Sequence, residues 1–363
     1  MGQKQQKQRK AAEGEKAATH FDLHRLTSAV DALDWPATTR ELRLPVDRHR
    51  WAAGAPLTRA PGWLTLDAAA KATVIDVAAS FLGNLPTEPV ADLMDAAADA
   101  FTIVAIEDPS PYTGLDPDVL LAWLKAIRAL AWHDEAVTAL VQRLAETRHG
   151  EVEELLLEGI AQDGTQRFPV HLRRLGGFHS PKIADALNTL ARDPNTTAPV
   201  VEAALTALVE RAPDRGVTTA LDIVDRRPDV KPSRDLPIDP SDDVHRRWWQ
   251  SVHACVALIK SARCADNLDA ILSRLTGSPE FAADVITAAQ PDGSGREPWP
   301  DLSSDQLATL YLWADNTLPH EPDHPHGAIV DVIPVFDFGG QVYRRLSNRN
   351  TTDFRCLGCS GCS

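Results

Sequence analysis

Cysteine is scarce: five residues in 363, an odd number, with Cys255 and Cys264 inside segments of helical periodicity. That excludes a disulfide framework and fits a reducing compartment. Long apolar runs are also missing. Every hydrophobic patch is interrupted by Asp, Arg or Pro before it reaches the roughly 18–20 residues that a membrane span needs. The N-terminal stretch Met1–Lys16 is polar, with Lys4, Lys7, Arg9, Lys10 and Lys16 set against Glu13 and Glu15. It lacks the apolar core of a secretory leader, so the cytoplasm is the expected compartment and no membrane partner is expected. No segment sustains apolar–polar alternation beyond a few residues, which argues against strands. No Gly-Lys-Ser/Thr follows a glycine-rich turn and no Gly-x-Ser-x-Gly elbow appears, so the chain is not expected to hydrolyse nucleotides. Positive charge is in deficit. With a net charge of −14 and a pI near 5.3, the surface repels phosphate backbones, and wholesale nucleic-acid binding is not expected.

What the sequence does contain is helical hairpin rhythm. In Ser180–Arg192, the residues Ile183, Ala186, Leu187 and Leu190 fall on one helical face. Asp193–Pro194–Asn195 breaks the chain, and Thr197–Arg211 resumes with Val200, Val201, Ala204, Leu205, Leu208 and Val209. Pro213–Asp214 breaks it again before Val217, Leu221 and Val224. Each stripe is too narrow to bury itself, and such short breaks force antiparallel neighbours. The same spacing marks helices in Asp67–Leu82, Glu88–Ile106, Asp118–Trp132, Asp134–Arg148, Val152–Ile160, Val244–Lys260, Asp266–Leu275, Glu280–Ala289 and Ser303–Trp313, with a short one at Phe21–Leu33 stopped by Trp35–Pro36 and a turn at Val170–Leu175.

The expected fold is therefore all-α, an α-solenoid of HEAT/armadillo-like antiparallel helix pairs. Its organisation reads as a disordered lead over 1–18 and an irregular segment over 19–66, packed by Trp51 and Leu57. The first part of the array covers 67–227, a Pro-rich linker 228–242, the second part 243–349, and a disordered Cys/Gly/Ser tail 350–363.

Two motifs resemble metal sites and are read otherwise. His320-Glu321-Pro322-Asp323-His324 fits the letters of the zinc-protease signature, which works only on a helix that puts both imidazoles on one face. Pro319, Pro322 and Pro325 should prevent that helix, a proline inside a turn costing about 3 kcal/mol or more. A solvent-exposed loop is expected there, with His326 adding only adventitious affinity. A metal-dependent hydrolase built on His320, Glu321 and His324 is the reading this disfavours. Cys356, Cys359 and Cys362 give three ligands where a cluster or tetrahedral site wants four. His253 and Cys255, two apart on one helix, point to different faces and make no dyad. Arg246, Arg247, Trp248 and Trp249 form a basic–aromatic run suited to an interaction surface, against a plainer reading with one Trp in the core and the arginines solvated. No catalytic, cofactor-binding or metal-ligating residue is assigned, and an enzyme is not expected.

At Arg59-Ala60-Pro61-Gly62-Trp63, followed by Leu66-Asp67 and the helix Ala69–Leu82, the chain resembles the helical-repeat region that lies C-terminal to the nucleotide-binding domain in bacterial NACHT/STAND-type NTPases. A second likeness runs through Leu307-Ala308-Thr309-Leu310-Tyr311-Leu312-Trp313, then Leu318-Pro319, the Glu321–His326 loop, and Tyr343-Arg344-Arg345-Leu346-Ser347-Asn348-Arg349. The resemblance covers Asp22–Asp353. It implies a non-catalytic recognition solenoid that binds a protein ligand, often a foreign protein in antiviral defence, and relays this to an NTPase, here a separate NTPase or effector chain. It also implies that the loop at His320–His326 is a connector. The nucleotide-binding and effector domains of that family are missing, which points to a fragment or split-gene product. The Cys/Gly/Ser-rich turn after Thr351 resembles a frameshifted terminus. A free-standing helical-repeat scaffold is the alternative.

Overall fold

The computed structural model describes residues 21–44, 57–84, 91–106, 114–128, 134–232, 242–290 and 298–318, together with Phe338 and Val342. Among them the secondary structure is fifteen α-helices and three 3-10 turns, and none of the helices is long and apolar enough to cross a membrane. The lead, Trp51, the His320–His326 loop and the Cys356/Cys359/Cys362 tail lie outside the described residues.

Proline and short side-chain acceptors set where helices begin. Asp34, Asp67, Asp116, Ser180, Ser278 and Ser303 each accept a hydrogen bond from a backbone N–H of the first turn. Proline occupies the first or second helical position in several of these helices, where its missing donor costs nothing. This corrects one sequence expectation. Trp35–Pro36 opens a helix, because Asp34 caps it and Pro36 sits in its first turn. The helix expected over Val152–Ile160 likewise starts earlier and runs on, over His149–Asp163, with Gly150 inside it.

The chain divides into two compact units, residues 1–156 with 173–178, and residues 157–172 with 179–363. The proline-rich stretch 228–242 lies within the second unit.

The first unit contains α1 (Leu23–Asp31), α2 (Trp35–Leu42), α3 (Pro61–Thr65), α4 (Ala68–Leu82), α5 (Ala91–Ile106), α6 (Pro117–Ile127) and α7 (Asp134–Ala145). Neighbours in sequence pair as α1 with α2, α4 with α5, and α6 with α7, while α5 also packs on α2 and on α7. Large aromatics join the pairs. The Trp35 indole N–H donates to the Ala96 carbonyl at 2.6 Å and that of Trp123 to the Leu82 carbonyl at 2.9 Å. Both rings are fully buried, so the polar edge of each is satisfied by a helix backbone. Arg174 is also buried here, its guanidinium 2.6 Å from both the Asp134 carboxylate and the Arg128 carbonyl.

Helix α8 (His149–Asp163) contains the division between the units. Its last residue, Asp163, is fully buried and accepts from the backbone N–H groups of Val170 and Leu172 at 3.1 and 2.8 Å, which folds the following loop back on itself.

The second unit continues with α9 (Pro181–Arg192), α10 (Ala198–Arg211), α11 (Pro213–Asp225), α12 (Asp243–Ile259), α13 (Leu268–Thr276), α14 (Pro279–Ala288) and α15 (Ser304–Thr317). Here the packing alternates. α9, α11, α13 and α15 touch in succession, and so do α10, α12 and α14, while α9–α10, α11–α12 and α13–α14 pair between the two rows. The first two stripes read from the sequence form contacts, with Ile183, Leu187, Val200, Val201, Ala204, Leu205 and Leu208 all buried. On α11 the inward face is instead Gly216, Ala220, Ile223 and Val224, with Val217 and Leu221 half-buried. Polar pairs stitch the first row at offsets of 30 or 31 residues. Arg215 meets Asp185 at 2.5 Å, Thr219 meets Asn188 at 2.7 Å, and Arg192 meets Asp222 at 2.7 Å. Arg274 then takes both oxygens of Asp225 at 2.7 Å, a hydrogen-bonded arrangement that raises its pKa. Exposed pairs of this kind add little stability one by one, so they act chiefly to fix helix register.

Cys255 and Cys264 are both buried. Burial, with Cys264 close by, pushes the Cys255 thiol up from 9.0 to about 12. The sign follows directly. Between those values the unfolded chain has released a proton that the folded chain keeps, so stability present below pH 9 is lost as pH rises toward the folded value. We expect denaturant unfolding of the wild type to weaken above that point more steeply than that of Cys255→Ala, by at most about 1.4 kcal/mol per pH unit. Parallel pH profiles for the two would contradict it.

Candidate functional site

The second unit carries an open cleft of about 660 Å³ lined by Thr206, Val209 and Glu210 of α10, Pro213 of α11, Lys260–Arg263 after α12, and Pro300 and Asp301. It lies against α10, which packs side by side with α12, and takes in the segment that follows α12. The positions Thr206, Val209 and Glu210 recur at helical spacing, so one face of α10 supplies a wall.

Beside this wall, Glu202 lies one turn before Thr206 on the same helix and bridges to α12. One of its oxygens is 2.6 Å from His253 Nδ1 and the other 3.5 Å from Lys260 Nζ. The Lys260 side chain is only 5% exposed, against 21% and 22% for Glu202 and His253. A lysine that deep needs a counter-charge, and Glu202 provides it.

The opposite wall is a strained turn. Trp299 and Asp301 have φ of 58° and 57°, the left-handed region that a bulky residue such as tryptophan rarely adopts. The turn is held by its surroundings. The Trp299 N–H donates to the Ile259 carbonyl at 2.9 Å, its ring is 1% exposed, and it packs against Phe338 with centroids 6.0 Å apart. The exposed Asp301 carboxylate stands at the mouth of the cleft.

The four residues singled out from sequence do not form one surface. Arg246 and Arg247 share Asp243 at 3.3 and 2.7 Å. Trp248 turns into the core at 1% exposure, donates its indole N–H to Asp284 at 2.9 Å and meets Phe281 edge-on with centroids 5.5 Å apart. Trp249 is half-buried beside His245, their rings 6.2 Å apart. A helix turns about 100° per residue, so four consecutive side chains spread around its circumference. Cys255 points into the core while His253 meets Glu202. Among the described residues, no group of three or more His, Cys, Asp or Glu could hold a metal ion.

Comparison with known protein families, curated proteins and solved structures finds no match to this chain.

Proposed function

We propose that this chain is a non-catalytic helical-repeat recognition region, similar to the sensor part of a NACHT/STAND-type NTPase, that binds a protein ligand in the course of bacterial antiviral defence. The observation that carries this reading is the alternating contact pattern of α9–α15, in which α9 to α14 each pack on a sequence neighbour and on a helix two positions away, and α15 joins its row through α13. That is how HEAT-like hairpins stack into a solenoid, whose repeated outward faces offer a broad docking surface. The likeness at Arg59–Leu82 and Leu307–Arg349 supplies the family, and the acidic net charge favours a protein partner over nucleic acid. The partner then signals through a separate NTPase or effector chain.

Affinity capture with the intact chain from phage-challenged bacteria tests the reading. One phage protein, enriched over the uninfected control and binding the purified chain saturably, is the expected result. Turnover of a small substrate by the chain alone would overturn it.

A further inference from the structure

We infer that the cleft between α10 and the Lys260–Arg263 segment that follows α12 is a docking groove for a short basic peptide segment of the partner, with Asp301 receiving its arginine or lysine; this rests on the recognition reading above. The cleft, at about 660 Å³, is within the range of about 300–1,000 Å³ typical of ligand sites. Ala262, Arg263, Glu210 and Asp301 are exposed around it. Val209, Pro213, Ala262 and Pro300 give it apolar walls, two of them prolines of fixed φ, which suits the stem of a long basic side chain and the backbone beside it.

Charge selects the occupant. The cations at the cleft already have acids within the chain: Lys260 has Glu202 at 3.5 Å and Arg263 has Asp266 at 3.0 Å. The Arg211 behind the wall has Glu210 at 3.5 Å. Asp301 has no ion pair or side-chain hydrogen bond among the described residues, and the left-handed turn at Trp299–Asp301 holds it at the mouth. Strain of this sort persists where surroundings over-determine it and concentrates at ligand clamps. An acidic peptide would meet Asp301 as a like charge on a chain of net charge −14, whereas a basic one is drawn to it.

The test selects short random peptides displayed on phage against the immobilised full-length chain, then measures the best binder by fluorescence anisotropy. Enriched sequences should carry arginine or lysine beside an apolar residue. Asp301→Asn should weaken the selected peptide about three- to fivefold, as expected of one exposed ion pair, and added salt should weaken it further. Ala262→Trp, at an exposed position, should fill the groove and abolish binding with the helical circular dichroism unchanged. Enrichment without basic residues, or undiminished binding to Ala262→Trp, would overturn the inference. If Ala262→Trp still captures the intact chain's protein partner at full strength, the groove falls while the recognition reading stands. If the basic peptide binds but no protein partner is captured, the groove stands and the recognition reading fails.

Discussion

Replacing Asp284 by alanine should cost the protein about 3 kcal/mol of stability, the range for removing one member of a buried charge pair. Asp284 lies on α14 at 4% exposure, with Phe281, Ala282, Val285 and Ile286 buried around it. One face of its carboxylate takes the Lys231 ammonium at 2.7 Å, and Oδ2 takes the Trp248 indole N–H at 2.9 Å. The two partners respond differently to its loss. The Lys231 side chain is 24% exposed and can recover water, whereas the Trp248 ring is 1% exposed and its N–H has no route to solvent. A buried donor left without an acceptor costs about 1–3 kcal/mol by itself. Asp284→Asn keeps an oxygen for the indole and loses only the charge, so its penalty should be smaller, about 1–2 kcal/mol. Guanidinium unfolding followed by circular dichroism would rank the two variants. Equal losses would show that the indole hydrogen bond contributes nothing to the difference.

Asp284 also shows where sequence reading stops. A lone aspartate on the apolar face Phe281–Ile286 is a visible anomaly, and an acceptor buried in a helix asks for donors. Nothing in the chain order says that Trp248 and Lys231 supply them. The helices themselves were legible because their stripes are regular: Ile183, Leu187, Leu205 and Leu208 are core residues at the spacing that announces them. Boundaries were less so. Trp35–Pro36 looks like a stop until Asp34 is recognised as a cap, since proline is as welcome in a first turn as it is costly in a helix interior.

The cleft was not legible. Glu202, Lys260 and Asp301 are unremarkable surface-type residues in sequence, and only the lateral contact of α10 with α12 brings the first two together. In the run Arg246–Trp249 the plainer reading fits better, with Trp248 in the core, because adjacency in sequence scatters side chains around a helix while spacing by three or four gathers them.

The second large effect concerns the contact on which the alternating rows depend. Gly216 sits in α11 against α10 so closely that a Cβ there would lie 2.7 Å from the Val209 Cα and backbone nitrogen. Backbone cannot rotate out of the way as a side chain can, so the two helices must separate. Overpacking of this kind costs typically about 1–3 kcal/mol, and moving α10 also disturbs the buried stripe Val200–Val209 that faces three neighbours. Helix propensity runs the other way, alanine being favoured over glycine by about 0.5–1 kcal/mol. A matched control removes that term. Gly150, exposed and near the start of α8, has nothing within 4 Å of its would-be Cβ, so Gly150→Ala should leave stability unchanged or raise it by up to about 1 kcal/mol.

Unfolding of these two alanine variants side by side is the most direct test that consecutive helices of the second unit press backbone to backbone. A net loss of about 2 kcal/mol for Gly216→Ala, with Gly150→Ala at or above the wild type, is the expected result. Two variants of equal stability would contradict it.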